Sequence, residues 1–255
     1  MRRWTRLAAL VALLALFGTG PLRIPEVASG QSGRTWDVIV GTDEEEAGGM
    51  TSAQAYFPNP LAIAVGDTVN FQFRGFHTVT FLGGQPAPRF EIPGAEAGTL
   101  LLNPQAFFPS VPPGTTSVTY DGTGFLNSGA PEEPEPEGEG EGGESAAPPP
   151  FAVTFTTAGS YTYLCLIHPG MVARLVVEPA GAALPETPAQ ATARGQAQLQ
   201  EVLATMRASA EAVRFAQPLS VEAPGRATVH TALAGLGQGI GASKLAFLPA
   251  QLSVR

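Results

Sequence analysis

Cys165, His168 and Met171 stand three residues apart within Tyr161-Thr162-Tyr163-Leu164-Cys165-Leu166-Ile167-His168-Pro169-Gly170-Met171. A thiolate, an imidazole and a thioether at C-x2-H-x2-M spacing are soft or borderline donors, and as a set they select copper over magnesium or calcium. One further imidazole completes a trigonal His2Cys set with methionine as the weak axial donor. The chain has three histidines. His77, in Phe76-His77-Thr78-Val79, opens an expected strand and is the candidate; His230 lies in the C-terminal tail and is a poor one. A single cysteine excludes an internal disulfide framework, a CxxC redox pair and a multi-cysteine zinc or iron–sulfur site within one chain.

The N-terminus reads as an address. Arg2, Arg3 and Arg6 precede the apolar run Leu7–Phe17, and small residues follow at Ala28, Ser29 and Gly30. That is the pattern of a secretory signal peptide over residues 1–30, and the run is shorter than the roughly 20 residues a membrane-spanning helix needs. The expected mature protein is therefore exported (periplasmic, cell-surface or secreted) with no stable membrane span. An unpaired thiol in such a compartment calls for a specific use. The formal charge is −8, from 14 basic and 22 acidic residues. That balance argues against nucleic acid as a partner, because phosphate binding requires clustered Lys and Arg. Composition does not fix the oligomeric state.

The positioning elements read as short strands. Leu61–Val65 ends at Gly66-Asp67, and Thr68–Phe73 alternates Val69, Phe71 and Phe73 with polar residues, the period of a strand with one buried face. His77–Phe81, Phe151–Phe155, Tyr161–Cys165 and Val172–Glu178 are further strands, and Ala158-Gly159-Ser160 reads as a turn. The fold class expected is all-β, an antiparallel sandwich or barrel over 31–179. Residues 132–144 hold seven Glu among Pro and Gly, so 128–150 is expected as a disordered acidic loop. Phe90, Leu100–Leu102, Phe107, Phe108 and Val118 imply that 85–127 packs on the sandwich as an irregular extension. Residues 180–217 form a linker and a helix, capped by Thr187 with Pro188 in its first position. Leu199, Leu203, Met206, Ala210 and Val213 make its apolar stripe, a docking face or a spacer; Gly195 weighs against its first turns. Tyr56–Ile63 resembles Phe247–Val254, and 218–255 is expected to begin an incomplete second sandwich.

Residues 35–178, on the strength of Tyr161–Met171, resemble a cupredoxin, and the ligand loop is similar to that of amicyanin and plastocyanin-like members. The resemblance implies a Greek-key β-sandwich and one type 1 (blue) copper ion that shuttles an electron. It also implies His77, Cys165 and His168 as equatorial ligands, Met171 as the axial one, and a redox partner protein docking near His168. Leu166, Ile167, Pro169 and Gly170 would form the apolar patch around that histidine. Two departures stand out. Thr78 follows the first histidine where the family commonly has Asn, whose hydrogen bonds tie the ligand loops together, and the His77–Cys165 separation is about twice the usual one. An electron carrier rather than an enzyme is expected, since a catalytic copper needs ligands this chain lacks. The alternatives are an extracytoplasmic copper carrier or chaperone, and a truncated part of a multi-domain copper oxidoreductase.

Overall fold

The structure, a computed structural model, describes the backbone of residues 33–46, 49–131, 148–216, 220–223, 227–230, 233–238 and 242–248. Side chains are described for 33–44, 51–131 and 148–212. The expected signal peptide and residues 132–147 of the expected acidic loop lie outside these residues; of the loop's described flanks, 128–131 and 148–150, Ser128 N–H donates to Val79 O at 3.0 Å and Ala130 N–H to Phe107 O at 2.8 Å. In chain order the first elements are β1 (Thr35–Glu46), β2 (Gly49–Phe57), β3 (Leu61–Ala64), β4 (Thr68–Phe73) and β5 (Thr80–Phe81). The long insertion contributes β6 (Glu91–Pro93), β7 (Leu100–Leu102), a one-turn helix α1 (Pro104–Phe107), β8 (Ser117–Tyr120) and β9 (Leu126–Asn127). Then come β10 (Phe151–Phe155), β11 (Gly159–Leu164), β12 (Val172–Glu178) and the long helix α2 (Pro188–Ala216). The C-terminal strands are β13 (Ser220–Ala223), β14 (Ala227–His230), β15 (Leu233–Gln238) and β16 (Ala242–Leu248).

Two sheets form the sandwich, one ordered β15-β16-β2-β1-β4-β10-β8 and the other β3-β12-β11-β5-β9. Period-two alternation sends Trp36, Val38, Val40, Val69, Phe71, Phe151, Val153 and Phe155 inward from the first. Leu61, Ile63, Phe81, Tyr163, Leu175 and Val177 meet them from the second, and all belong to one core cluster. The sheets are mixed rather than antiparallel throughout. β1 runs parallel to β4, β10 to β8 and β12 to β3, because strands adjacent in sequence cross between sheets and later ones fill in beside them.

Asp67 locks the first corner. Its buried carboxylate accepts from Arg34 N–H at 2.7 Å, Trp36 Nε1–H at 2.9 Å and Ala64 N–H at 3.0 Å, joining β1, β3 and β4. The insertion is anchored by Asn127, which is fully buried. Its amide donates to the carbonyls of Gln105, Ala106 and Phe108 and accepts from Thr80 Oγ1 at 2.9 Å. Phe107, Val111, Val118 and Tyr120 do pack on the sandwich, whereas Leu100, Leu101, Leu102 and Phe108 are exposed. An apolar run in a short two-stranded ribbon has no second layer to bury it.

Helix α2 begins as expected. Gln190 N–H donates to Thr187 Oγ1 at 3.3 Å and the Gln190 side-chain oxygen accepts from Thr187 N–H at 2.8 Å, a capping box around Pro188. The stripe docks on this chain's own first sheet: Leu199 and Leu203 pack with Ile39, Ala53 and Phe57 on the face opposite the core. Val213 lies outside the described side chains. Gly195 sits where a β-carbon would stand 2.7 Å from Pro58 N and 2.9 Å from the Phe57 carbonyl carbon, so the missing side chain is what lets the helix approach. Gly195→Ala is therefore expected to destabilise by ~1–3 kcal/mol through overpacking, despite the ~1 kcal/mol that alanine gains as a helix former. Denaturant unfolding checks the sign, and a stabilised variant would contradict this docking.

In the tail, β13 and β14 form a hairpin, while β16 pairs antiparallel with β2 and carries β15 outside it. The strand-like text of 218–255 thus includes an extension of the first sheet at its β2 edge.

Candidate metal centre

Two loops at one end of the sandwich carry the candidate donors. The first follows β4 and enters β5; Arg74 N–H donates to Val40 O at 3.2 Å and Asp43 N–H to Arg74 O at 3.1 Å, continuing the β1–β4 pairing into the loop. The expected strand His77–Phe81 contracts to Thr80–Phe81, because the backbone before it bonds to side chains: Val79 N–H donates to Ser128 Oγ at 2.8 Å. The second loop joins β11 to β12. Cys165 N–H donates to Met171 O at 3.0 Å and Met171 N–H to His168 O at 3.1 Å. With Pro169 second and Gly170 third, at φ 88°, this is a type II turn, and the positive φ requires the glycine. Gly159 and Ser160, read from sequence as turn, are already in β11.

Strand β5 pairs with β11, Thr80 opposite Leu164, and that register carries His77 and Thr78 to Cys165. His77 Nδ1 lies 3.0 Å from His168 Nδ1 and 4.0 Å from Cys165 Sγ, and His168 Nδ1 lies 3.6 Å from the same sulfur. The three donor atoms fall within 4.8 Å of one another, a group fit to hold a metal ion. Both rings present the same nitrogen, and no carboxylate belongs to the group. His77 and Cys165 are buried while His168 is half-buried, so of the three only His168 is partly open to solvent. Met171 is buried in the same core cluster as Cys165. His230 lies in β14, paired with Ser220, outside the described side chains.

The Thr78 position carries the tie between loops. Its N–H donates to Cys165 Sγ at 3.3 Å, and its Oγ1 accepts from Leu166 N–H at 2.9 Å. A threonine thus supplies both a donor to the sulfur and a bridge across the loops. Tyr56, which sequence reading passed over, donates from its hydroxyl to Thr78 O at 2.6 Å; burial holds this phenol protonated, as a donor. Asn127 was passed over too, and Ser128 was read into the acidic loop. They brace β5 from the side opposite β11, and a two-residue strand leaves no periodicity to announce them. Thr78→Val keeps the backbone donor but leaves Leu166 N–H without its acceptor. It is expected to cost ~1–3 kcal/mol in thermal unfolding, while Thr78→Ser stays near the parent.

The apolar patch expected around His168 is halved. Pro169 and Gly170 are exposed, but Leu166 and Ile167 are buried, at 8% and 9% exposure. Leu166 is held in by its bond to Thr78, and Ile167 joins the core cluster.

Electrostatics follow from burial. Desolvation, with the adjacent His168 second and against an opposing pull from Asp43, lowers His77 to about 4. Desolvation lowers His168 as well, again opposed by Asp43. In the metal-free protein, folding holds His77 neutral while the unfolded chain takes up a proton near pH 6.5. Stability is expected to fall as pH drops from about 6.5 to about 4, by ~3 kcal/mol from His77 alone, and the loss from this group to level off below that. Unfolding midpoints of metal-free protein between pH 7 and 4 measure this. A flat profile would contradict it.

No protein-family model and no curated protein sequence matches the chain. Among the described residues, no helix is long and apolar enough to cross a membrane. Among solved structures, a multicopper oxidase from Pseudomonas thermotolerans is similar at 17% identity and TM-score 0.27, over 60% of this chain and 31% of that one. A Sinorhizobium pseudoazurin is similar at 19% identity and TM-score 0.24, over 66% of this chain and 97% of that one. A reduced Cu(I) form of an amicyanin mutant is similar at 20% identity and TM-score 0.29, over 59% of this chain and 87% of that one. The solved structures to which this sandwich is similar thus include the cupredoxins amicyanin and pseudoazurin.

Proposed function

We propose that this chain is a copper-binding electron-transfer protein with one type 1 copper, held by His77, Cys165 and His168 with Met171 as the weak axial ligand. The observation that carries the reading is the convergence of two Nδ1 atoms on a buried thiol that already accepts a backbone N–H. Bound copper supplies a one-electron Cu(I)/Cu(II) couple.

This chain's residues do the rest. Cys165 supplies the thiolate, and Thr78 N–H stabilises its negative charge. His77 is sealed in the interior, and the buried side chains of the core cluster keep water from the sulfur. His168, half-buried, provides the short path to a partner at the surface. Braced by Thr78, Ser128 and Asn127, the loops hold the donors in one arrangement, which limits rearrangement when an electron arrives or leaves. Location outside the cytoplasm, in the periplasm or beyond, belongs to this proposal, supported by the leader-like residues 1–30.

Reversible voltammetry of the copper-loaded protein tests it. One electron per copper, with the metal retained through repeated cycles, is the expected result. Retention of Cu(I) but release of Cu(II) would replace the reading with that of a copper carrier.

A further inference from the structure

We propose that Asp43 is a positioning residue for His77: its carboxylate accepts the ring Nε2–H and so fixes the imidazole from behind. This rests on the metal reading of His77, and it concerns the atom that reading leaves unexplained. His77 Nδ1 faces the sulfur and His168, whereas Nε2 is buried with no hydrogen-bond partner. A neutral imidazole carries one proton. Committing Nδ1 to a metal places that proton on Nε2, making it a buried donor in need of an acceptor.

Two glycines shape the space behind the ring. At Gly41 the β1–β2 register shifts, φ is 61°, and a β-carbon would stand 2.0 Å from His77 Nε2. At Gly75 a β-carbon would stand 3.0 Å from Nε2 and 2.9 Å from Asp43 Oδ2. Carboxylate and ring nitrogen therefore flank the same point with no side chain between them. Asp43 is exposed and at the end of the β1–β4 pairing, its N–H held by Arg74 O, so its side chain can turn while its backbone stays fixed. The field of the same carboxylate acts on both histidines. The other acceptor nearby is Ala53 O, which lies 2.9 Å from the Gly41 β-carbon position. A carboxylate is the stronger partner for a ring made more acidic by a bound cation, because charge-assisted bonds are shorter and stronger. Metal-bound histidines commonly pass their second N–H to such a group.

The test follows the His77 Nε2–H by nitrogen-edited NMR in the full chain loaded with Cu(I), which is diamagnetic. In the parent this proton is expected as a resolved, slowly exchanging signal. In Asp43→Ala its exchange with solvent is expected to rise by about tenfold or more, and Asp43→Glu is expected to restore much of the protection. The reduction potential is expected to shift upward in Asp43→Ala and in Asp43→Asn, since both remove a negative charge that favours Cu(II); a purely structural role would change thermal stability and leave the potential in place. Unchanged proton exchange in Asp43→Ala, with copper still bound, overturns the proposal and assigns the acceptor to Ala53 O. Failure of the parent to bind one Cu(I) per chain overturns the metal reading itself, and this proposal with it.

Discussion

Cys165→Ser, loaded with Cu(II), is expected to be colourless where the parent is intensely blue. The colour of a His2Cys centre arises from thiolate-to-copper charge transfer, near ~600 nm in sites of this type, and a serine oxygen provides no such transition. Cu(II) affinity should fall by more than the about 10–100-fold that losing an outer hydrogen-bond partner costs, because a direct donor is removed. Folding should survive. The serine is smaller than the thiol by little, and Thr78 N–H, 3.3 Å from the sulfur, can donate to its hydroxyl. Visible absorption and a copper competition titration measure both effects. Parent-like colour in this variant would remove the cysteine from the site.

Asp67→Ala is expected to be the most damaging single change to the scaffold. Three donors converge on the carboxylate from Arg34, Trp36 and Ala64, and the side chain is only 4% exposed. Truncation leaves those N–H groups without acceptors where water has little access, at ~1–3 kcal/mol each, so a loss of at least ~3 kcal/mol is expected. Asp67→Asn should be milder, because one oxygen remains to accept. Denaturant unfolding of the two variants gives the order. Equal, small losses would mean the corner is held by something other than this carboxylate. Asp67 precedes β4 while the loop bearing His77 follows it, so any copper spectrum of surviving folded protein should be unchanged.

The parts of the fold legible in the sequence are those with local causes. Thr68–Phe73, Phe151–Phe155 and Val172–Glu178 alternate cleanly and occupy the bounds their period implies. The start of α2 was legible because Thr187 and Pro188 are specific to a helix N-terminus. The pairing of Cys165 with His168 was legible because the two lie three residues apart on one loop. What was hidden depends on non-local partners. His77-Thr78-Val79 reads as strand, but its N–H groups go to a sulfur and a serine hydroxyl, which no local pattern encodes. The value of Thr78 itself became plain only when Cys165 and Leu166 stood beside it. Gly195 weighs against a helix until Pro58 is seen against it. Leu166 and Ile167 are apolar whether they form a surface patch or fill an interior, and only the surrounding chain decides. The pairing of β16 with β2, like that of β9 with β5, joins segments whose meeting no short-range periodicity records.

The proposal that two histidines and one thiolate hold a single copper in a type 1 site is tested most directly by the visible and EPR spectrum of the full chain titrated with Cu(II). An intense absorption band near ~600 nm that saturates at one copper per chain, with narrow copper hyperfine splitting, is the expected result. A colourless complex with wide splitting, or saturation at a different stoichiometry, would contradict it.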